Sequence, residues 1–143
     1  MHRVMIMTMI VISSRGLTRS DPTVDTACAA PRWNEDACDV LMKCIEDVHC
    51  EKLHLSNMIT PGTIPTNMWS RLRSLRDVQL PANHFTGTIP SRIGLLSRIV
   101  SLNLSEHPLN GTIPLAVGNL SMLRRLVLST TPLTGSTPIE LGR

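Results

Sequence analysis

Aromatic residues are scarce in this sequence. It contains no tyrosine, one phenylalanine and two tryptophans among 143 residues. Nucleic-acid-binding proteins stack aromatic side chains on bases and concentrate Lys and Arg on one face. Here the net charge is only +3 and the basic residues are scattered. We therefore expect no nucleic-acid partner, and a core built from aliphatic side chains.

The sequence also lacks a hydrophobic run long enough to span a membrane. A nine-residue, mostly apolar run at residues 4–12 follows Arg3. A spanning helix needs roughly 20 apolar residues, whereas a short run behind a positive charge is typical of a signal peptide. We interpret residues 1–14 as a candidate signal peptide and residues 15–50 as a linker and a cysteine-containing cap. We predict no transmembrane segment in this chain.

Cysteines occur in only one part of the chain, a 23-residue window that contains Cys28, Cys38, Cys44 and Cys50. An even number of clustered cysteines behind a candidate signal peptide favours two local disulfides, for which three pairings are possible. A zinc site is the alternative, but the gaps of nine, five and five residues are wider than typical ligand spacings. We expect disulfides, no metal or other cofactor, and a secreted or cell-surface location.

What the sequence does have is a repeat. The letters GTIP occur at residues 62–65, 87–90 and 111–114, and GSTP follows at 135–138. Aligned on the glycine, the rows carry apolar residues in the same columns. In the second row these are Leu72, Leu75, Val78, Leu80, Phe85, Ile89 and Ile93. The first row is partial and offers Leu53, Leu55, Ile64 and Met68.

The apolar columns predict stacked coils. Within each row, x-L-x-L-x alternates with period two, so a short strand turns its leucines inward. A single row cannot bury its own apolar face, so the rows stack and their strands pair into a parallel sheet.

These rows resemble the plant-type leucine-rich repeat, LxxLxxLxLxxNxLxGxIPxxLGxL, over residues 51–143. The resemblance implies an α/β-type repeat, a right-handed solenoid of about 3.5 to 4 repeats. Short parallel strands would line its concave face, and irregular or 3-10 turns its convex face. The segments WNEDAC (33–38) and DVHC (47–50) occupy the places of the family's N-terminal cap, although a second Trp and a Gly are missing and the cysteine spacing differs. The disulfide pairing therefore stays open.

The family's asparagine after each strand bonds to the neighbouring backbone. Only Asn83 fits that column, where Met58, His107 and Thr131 stand in the other rows. We expect each replacement to cost about 1 kcal/mol wherever a buried backbone group is left unpaired.

Solvent-facing strand positions define the predicted concave binding face. By row they are Lys52, His54 and Ser56; Asp77, Gln79 and Pro81; Ser101, Asn103 and Ser105; and Arg125, Val127 and Ser129. This small, polar face of mixed charge suits hydrogen bonding to a protein, peptide or glycan ligand. It lacks the aromatic anchors of a tight hot spot.

Catalysis is not expected. Ser56, His54 and Asp77 could form a triad on paper, but an open sheet surface supplies neither a buried orienting carboxylate nor an oxyanion hole. The sequence contains no G-x-S-x-G, no phosphate-binding GxxxxGK[ST] loop and no kinase signature.

Three N-x-[ST] triplets, at Asn103, Asn110 and Asn119, are candidate glycosylation sites in a secreted protein. A glycan on Asn103 would obstruct the concave face, so Asn110 and Asn119 are the better candidates.

The resemblance implies a recognition module of the kind found in receptor ectodomains and secreted inhibitors. Two alternatives stay open. One is a structural or antigenic surface protein that self-associates through the open edge of the strand near residues 126–128. The other is a truncated fragment of a larger receptor without an independent function.

Overall fold

The structure is a computed structural model that describes residues 35–57, 62–64 and 66–137. The candidate signal peptide, Cys28, Met58 and Thr60 lie outside the described residues, as do residues 138–143.

An amphipathic helix opens the described chain. Helix α1 (Glu35–Glu46) buries Ala37, Leu41 and Cys44, which recur at helical spacing and face the same core. A disulfide joins Cys44, in its last turn, to Cys50, with 5.2 Å between the Cα atoms. The predicted disulfide chemistry is thereby confirmed for one pair. Because Cys50 lies two residues before the first strand, the bridge ties the helix to the sheet.

The sheet follows the repeat. Strands β1 (Lys52–His54), β3 (Asp77–Gln79), β5 (Ser101–Asn103) and β6 (Arg125–Val127) form one parallel sheet in that order. Leu53, Val78, Leu102 and Leu126 are register partners across it. The predicted parallel sheet is confirmed, and β6 stands at its edge. The self-association predicted for that edge stays a prediction.

A second, smaller parallel sheet has two strands, which follow β1 and β3 in the chain. It joins β2 (Gly62–Thr63) to β4 (Phe85–Thr86). The next coil continues the pattern with a parallel bridge between Gly87 and Leu109. Gly87 and Gly111 of the GTIP phrases have φ values of +79° and +77°, a conformation that glycine adopts without steric cost.

Among the described residues, three 3-10 helices complete the coils: η1 (Met68–Ser70), η2 (Ser91–Leu95) and η3 (Leu115–Asn119). Helices η2 and η3 each begin after the proline of a GTIP phrase. They approach closely, since a Cβ atom on Gly94 would lie 2.6 Å from the carbonyl oxygen of Ala116.

The core is mostly aliphatic, as predicted, and the buried aromatic side chains of Trp69 and Phe85 are the exceptions. The columns of the repeat are buried, including Leu53, Leu75, Val78, Leu80, Ile93, Leu96, Ile99, Leu102, Leu104 and Leu109. Alignment on the GTIP glycines places Met68 of the first row in the same apolar column as Ile93 and Val117, so Met68 was the predicted residue there. Trp69, one residue later and fully buried, takes that position. The first two GTIP phrases are 25 residues apart, whereas the later ones are 24 apart. The extra residue lies between Gly62 and Trp69, so this column lies one residue later in the first row.

The column of the family's asparagine also differs from the prediction. Asn83 is buried, and its Nδ2 donates to the carbonyl oxygens of Leu55, in the preceding coil, and Pro81. His107, 24 residues later, does the equivalent: its Nε2 lies 2.6 Å from the carbonyl oxygen of Leu80. The condition set for a cost of about 1 kcal/mol, an unpaired buried backbone group, is therefore not met at the Leu80 carbonyl. Imidazole reaches the preceding coil as the amide does.

The ring of His107 is held on both sides. Its Nδ1 accepts a hydrogen bond from the backbone N–H of Phe85 at 3.3 Å, and the two rings lie 4.9 Å apart. A carbonyl only accepts and a backbone N–H only donates, so the bound form is the neutral ring with its proton on Nε2. By contrast, Thr131 bonds to Leu128 within its own coil, at 2.6 Å.

Because His107 is buried, we expect the folded protein to lose stability in acid. Burial lowers the pKa of His107 below 6.5, and His84 acts in the same direction, while the bond to Leu80 and the charge of Glu106 oppose it. Between the folded pKa and about 6.5 the unfolded chain binds more protons, so the free energy of unfolding falls as pH falls through that window.

Urea denaturation between pH 7.5 and 4.5 measures this effect. The wild type should lose more stability below about pH 6.5 than His107→Asn, which keeps an amide in the column and every other histidine of the chain. Parallel pH profiles for the two proteins would contradict the role given to His107.

Candidate functional site

The outward side of the four-stranded sheet forms one continuous surface, here called the open sheet face. It consists of two register rows: Lys52, Asp77, Ser101 and Arg125, and then His54, Gln79, Asn103 and Val127. Side chains alternate along a strand, so the leucine row between them points inward and these two rows point outward. The strands therefore bring together eight of the predicted site residues.

The exposure of the predicted residues varies along this face. Lys52, His54, Ser56, Arg125 and Ser129 are exposed. The middle of the face is half-buried: Asp77, Gln79, Pro81, Ser101, Asn103 and Val127.

Ser105 was predicted on this face, and that prediction is wrong, because it is only 5% exposed. Strand β5 ends at Asn103, whose Oδ1 accepts the backbone N–H of Ser105 at 3.0 Å. The chain has therefore begun to turn before Ser105, and the alternation of a strand no longer applies.

A hydrogen-bonded network crosses the face from β1 to β5. Asp77 is its centre: Oδ2 lies 2.8 Å from Nε2 of His54, and Oδ1 lies 2.7 Å from Nε2 of Gln79. The same nitrogen of Gln79 lies 3.1 Å from Oγ of Ser101. Four side chains on three strands are thus held in fixed positions.

The charge of Asp77 is stabilised by this network. Burial works to raise the pKa of Asp77, but the hydrogen bonds from Gln79 and His54, the charge of His54 and the bond from Ser101 outweigh it and lower the pKa. Asp77 is therefore an ionised acceptor with both oxygens already engaged.

The two ends of the first row carry exposed cations. Lys52 lies on β1 and Arg125 on β6. Among the described residues, the ion pairs are His54–Asp77 and Arg76–Glu51, and neither involves Lys52 or Arg125. Arg124, next to Arg125, is exposed as well.

The chemistry of this arrangement is hydrogen bonding. His54 and Asp77 are paired as two members of a triad would be, but in the described chain Ser56 makes no hydrogen bond to His54. Within the described ranges there is also no group of three His, Cys, Asp or Glu residues that could hold a metal ion. No helix in the described part of the chain is long and apolar enough to cross a membrane.

The three candidate glycosylation sites differ in accessibility. Asn110 and Asn119 are exposed. Asn103 is half-buried, and the serine of its triplet, Ser105, is buried. This is the order of preference expected from the sequence, although glycosylation itself stays a prediction.

Comparison with known proteins places the fold. No protein-family model matches the chain. The LRR ectodomain of the receptor kinase GASSHO1/SCHENGEN3 from Arabidopsis thaliana, solved with CASPARIAN STRIP INTEGRITY FACTOR 2, is 36% identical over 64% of this chain, with a TM-score of 0.62. The chain has the plant-type leucine-rich-repeat fold. The resemblance inferred from the GTIP rows is confirmed.

Two further Arabidopsis ectodomains are similar to the chain in fold. The BIR2 ectodomain from Arabidopsis thaliana is 32% identical over 66% of the chain, with a TM-score of 0.62. The Arabidopsis HAESA LRR ectodomain, solved with an IDA peptide hormone ligand, is 27% identical over 64%, with a TM-score of 0.60. In sequence, the Arabidopsis thaliana receptor kinase CEPR1 is 38% identical over 56 residues, 39% of this chain.

The leucine-rich-repeat chain is much shorter than these proteins. It covers 11% of the GASSHO1 chain, 50% of the BIR2 chain and 16% of the HAESA chain. Its match to CEPR1 covers 6% of that receptor.

Proposed function

We propose that this chain is a non-catalytic recognition module, secreted or displayed at the cell surface, that binds a peptide or protein segment on the open sheet face. The observation that carries the proposal is the polar, prearranged surface built from His54, Asp77, Gln79 and Ser101. Its fold neighbours include a receptor kinase ectodomain solved with a peptide hormone ligand, which supports the same use of the fold.

The network favours binding because it is ordered before a ligand arrives. Immobilising a free polar side chain at an interface costs about 0.5–1.5 kcal/mol. Asp77, Gln79 and Ser101 are already fixed by one another, so a ligand that bonds to them avoids much of that cost. Exposed Lys52 and Arg125 at the two ends add charge that can steer a ligand to the face.

The rest of the chain would support this face. We assign residues 1–14 to a signal peptide, 15–50 to a linker and cap, and 51–143 to about 3.5 to 4 coils with the open sheet face on the concave side. The Cys44–Cys50 bridge fits an oxidising compartment. Exposed Asn110 and Asn119 would carry glycans without covering the sheet.

Selection from a random peptide library tests the proposal. The whole chain, produced without glycans and with its disulfide intact, is used to select peptides whose two ends are blocked, and their affinities are then measured by calorimetry. We expect Ser101→Trp, in the middle of the face, to weaken binding at least tenfold by covering it. Exposed Ser121→Trp is the matched control, since it places the same ring away from the sheet.

Two outcomes would overturn the proposal. One is a selection that enriches no peptide over the starting library. The other is binding that Ser101→Trp and Ser121→Trp affect equally, because the bound surface would then lie elsewhere.

A further inference from the structure

The side-chain amide of Gln79 can present only one atom to a ligand. A carboxylate only accepts hydrogen bonds, so the atom of Gln79 that lies 2.7 Å from Oδ1 of Asp77 must be the amide nitrogen. That nitrogen also contacts Oγ of Ser101 at 3.1 Å. The carbonyl oxygen Oε1 has no hydrogen-bond donor among the described residues, and Gln79 is half-buried. Gln79 therefore offers one fixed acceptor.

Asn103 presents the opposite atom. A backbone N–H only donates, so the atom of Asn103 that lies 3.0 Å from the backbone nitrogen of Ser105 must be the oxygen Oδ1. The amide nitrogen Nδ2 has no acceptor in the described part of the chain. Asn103 is half-buried on the same outward row, so it offers one fixed donor.

Gln79 and Asn103 stand side by side. They are register partners on the adjacent strands β3 and β5, whose separation in a sheet is about 4.8 Å. In an extended chain the N–H and the C=O of one residue point to the same side, which is why paired residues of antiparallel strands exchange two hydrogen bonds. An acceptor and a donor one strand apart fit those two groups.

The order of the two amides sets the direction of a bound peptide. The peptide residue would donate its N–H to Gln79 and accept from Asn103 through its C=O. Because N–H precedes C=O along a chain, the peptide would run from β3 towards β5 and then over β6. The residues that follow would lie over Val127, the register partner of Asn103, and beside Arg125, which lies two residues earlier on the same strand.

Arg125 gives this end of the face its charge preference. Arg125 and Arg124 are both exposed, and the ion pairs of the described chain leave them without an acidic partner. The one acidic side chain on the open sheet face, Asp77, is already engaged by His54 and Gln79. A guanidinium group binds a carboxylate through paired hydrogen bonds, so an acidic side chain is the complementary group.

We propose that Gln79 and Asn103 bind the backbone N–H and C=O of one residue in an extended acidic peptide, and that Arg125 binds an acidic side chain on its C-terminal side. This inference rests on the proposed function, which it makes specific in chemistry and direction. It predicts that selected peptides share Asp or Glu at a fixed position.

The charge preference is tested with a selected peptide, amidated at its C-terminus, and a copy in which Gln replaces the shared acidic residue. We expect the acidic peptide to bind the wild type at least tenfold more tightly than the Gln copy. Arg125→Gln should abolish this difference. Arg92→Gln, an exposed arginine on η2, is the matched control and should preserve it.

The amide pair is tested separately with the uncharged Gln copy, so that charge repulsion plays no part. Asn103→Asp keeps the shape and the acceptor for Ser105 but removes the outward donor, and we expect at least tenfold weaker binding. Thermal unfolding followed by circular dichroism checks that the variant is folded. Asn103→Ser, which removes the amide without adding a charge, should weaken binding similarly.

The outcomes separate the two proposals. Peptides that bind, and that Ser101→Trp blocks, but that show no acidic preference and ignore Asn103→Asp would overturn this inference alone. Loss of the charge preference in both Arg125→Gln and Arg92→Gln would also overturn it. Failure of the selection, or insensitivity to Ser101→Trp, would overturn the proposed function and this inference together.

Discussion

Replacing Leu102 with alanine is expected to lower the free energy of unfolding by about 3 kcal/mol, because it leaves a cavity in the middle of the core. Leu102 is 1% exposed and lies between Val78 and Leu126 in the inward row of the sheet. Neighbouring coils hold both sides of the site, so it cannot collapse easily. Urea denaturation followed by circular dichroism measures the loss.

Leu115→Ala provides the control for this prediction. Leu115 is 72% exposed on η3, so the same substitution should change the free energy of unfolding by less than about 0.5 kcal/mol. Equal losses for the two variants would contradict the stacked core described above.

His107→Ala is expected to cost a similar amount, about 3 kcal/mol, for a different reason. It leaves the buried Leu80 carbonyl in the preceding coil without its His107 donor, and it removes the hydrogen bond that His107 accepts from the Phe85 N–H. It also removes the packing against the Phe85 ring.

His107→Asn should recover much of the loss, since Asn83 fills the same column one coil earlier and bonds to Leu55. We expect it to lie within about 1 kcal/mol of the wild type at pH 7.5. Both variants can be measured by urea denaturation at that pH. If His107→Asn were as unstable as His107→Ala, the bonds to the preceding coil would not be what holds this turn.

The sheet could be predicted from the sequence because period-two alternation and a repeat of 24 or 25 residues act together. Alternation decides which side of each strand faces the core, and the repeat decides which residues of successive strands are partners. The sequence alone therefore aligns Leu53, Val78, Leu102 and Leu126, which are register partners in the sheet. The outward rows followed from the same rule.

Three residues departed from what alternation, the repeat and the family motif predict, each for its own reason. Ser105 lies beyond the end of β5, where its backbone N–H donates to Oδ1 of Asn103 and the turn begins. Trp69 was missed because the extra residue of the first spacing could lie on either side of the column. The role of His107 could not be predicted from the motif, because a motif compares residue types, whereas the backbone requires only a donor that reaches the preceding coil.

Each coil has a residue with positive φ shortly after its strand, and this conformation also could not be predicted from the residue types. Asn57, Ala82, Glu106 and Thr130 all have positive φ, between 56° and 61°, although none is glycine. A left-handed residue other than glycine costs roughly 1–2 kcal/mol. At Asn57, Ala82 and Glu106 the backbone N–H donates to a carbonyl of the next coil, for example Ala82 N–H to the Ser105 carbonyl at 3.1 Å. Stacking of the coils therefore stabilises the conformation at these three residues, and the residue types alone do not predict it.

The open sheet face was predicted as a set of residues but not as a bonded network. The repeat places His54 and Asp77 on adjacent strands, and rotamers then decide that Asp77 receives bonds from both His54 and Gln79. Those bonds determine which atoms of Gln79 and Asn103 remain for a ligand, so the specific proposal required the structure.

Nuclear magnetic resonance can show whether the open sheet face is where the chain binds its ligand. The isotopically labelled chain is titrated with the tightest peptide from the selection, and the shifted backbone amides are mapped. We expect shifts concentrated in Asp77–Gln79, Ser101–Asn103 and Arg125–Val127. Shifts concentrated in Ser91–Leu95 and Leu115–Asn119, with the sheet unchanged, would contradict it.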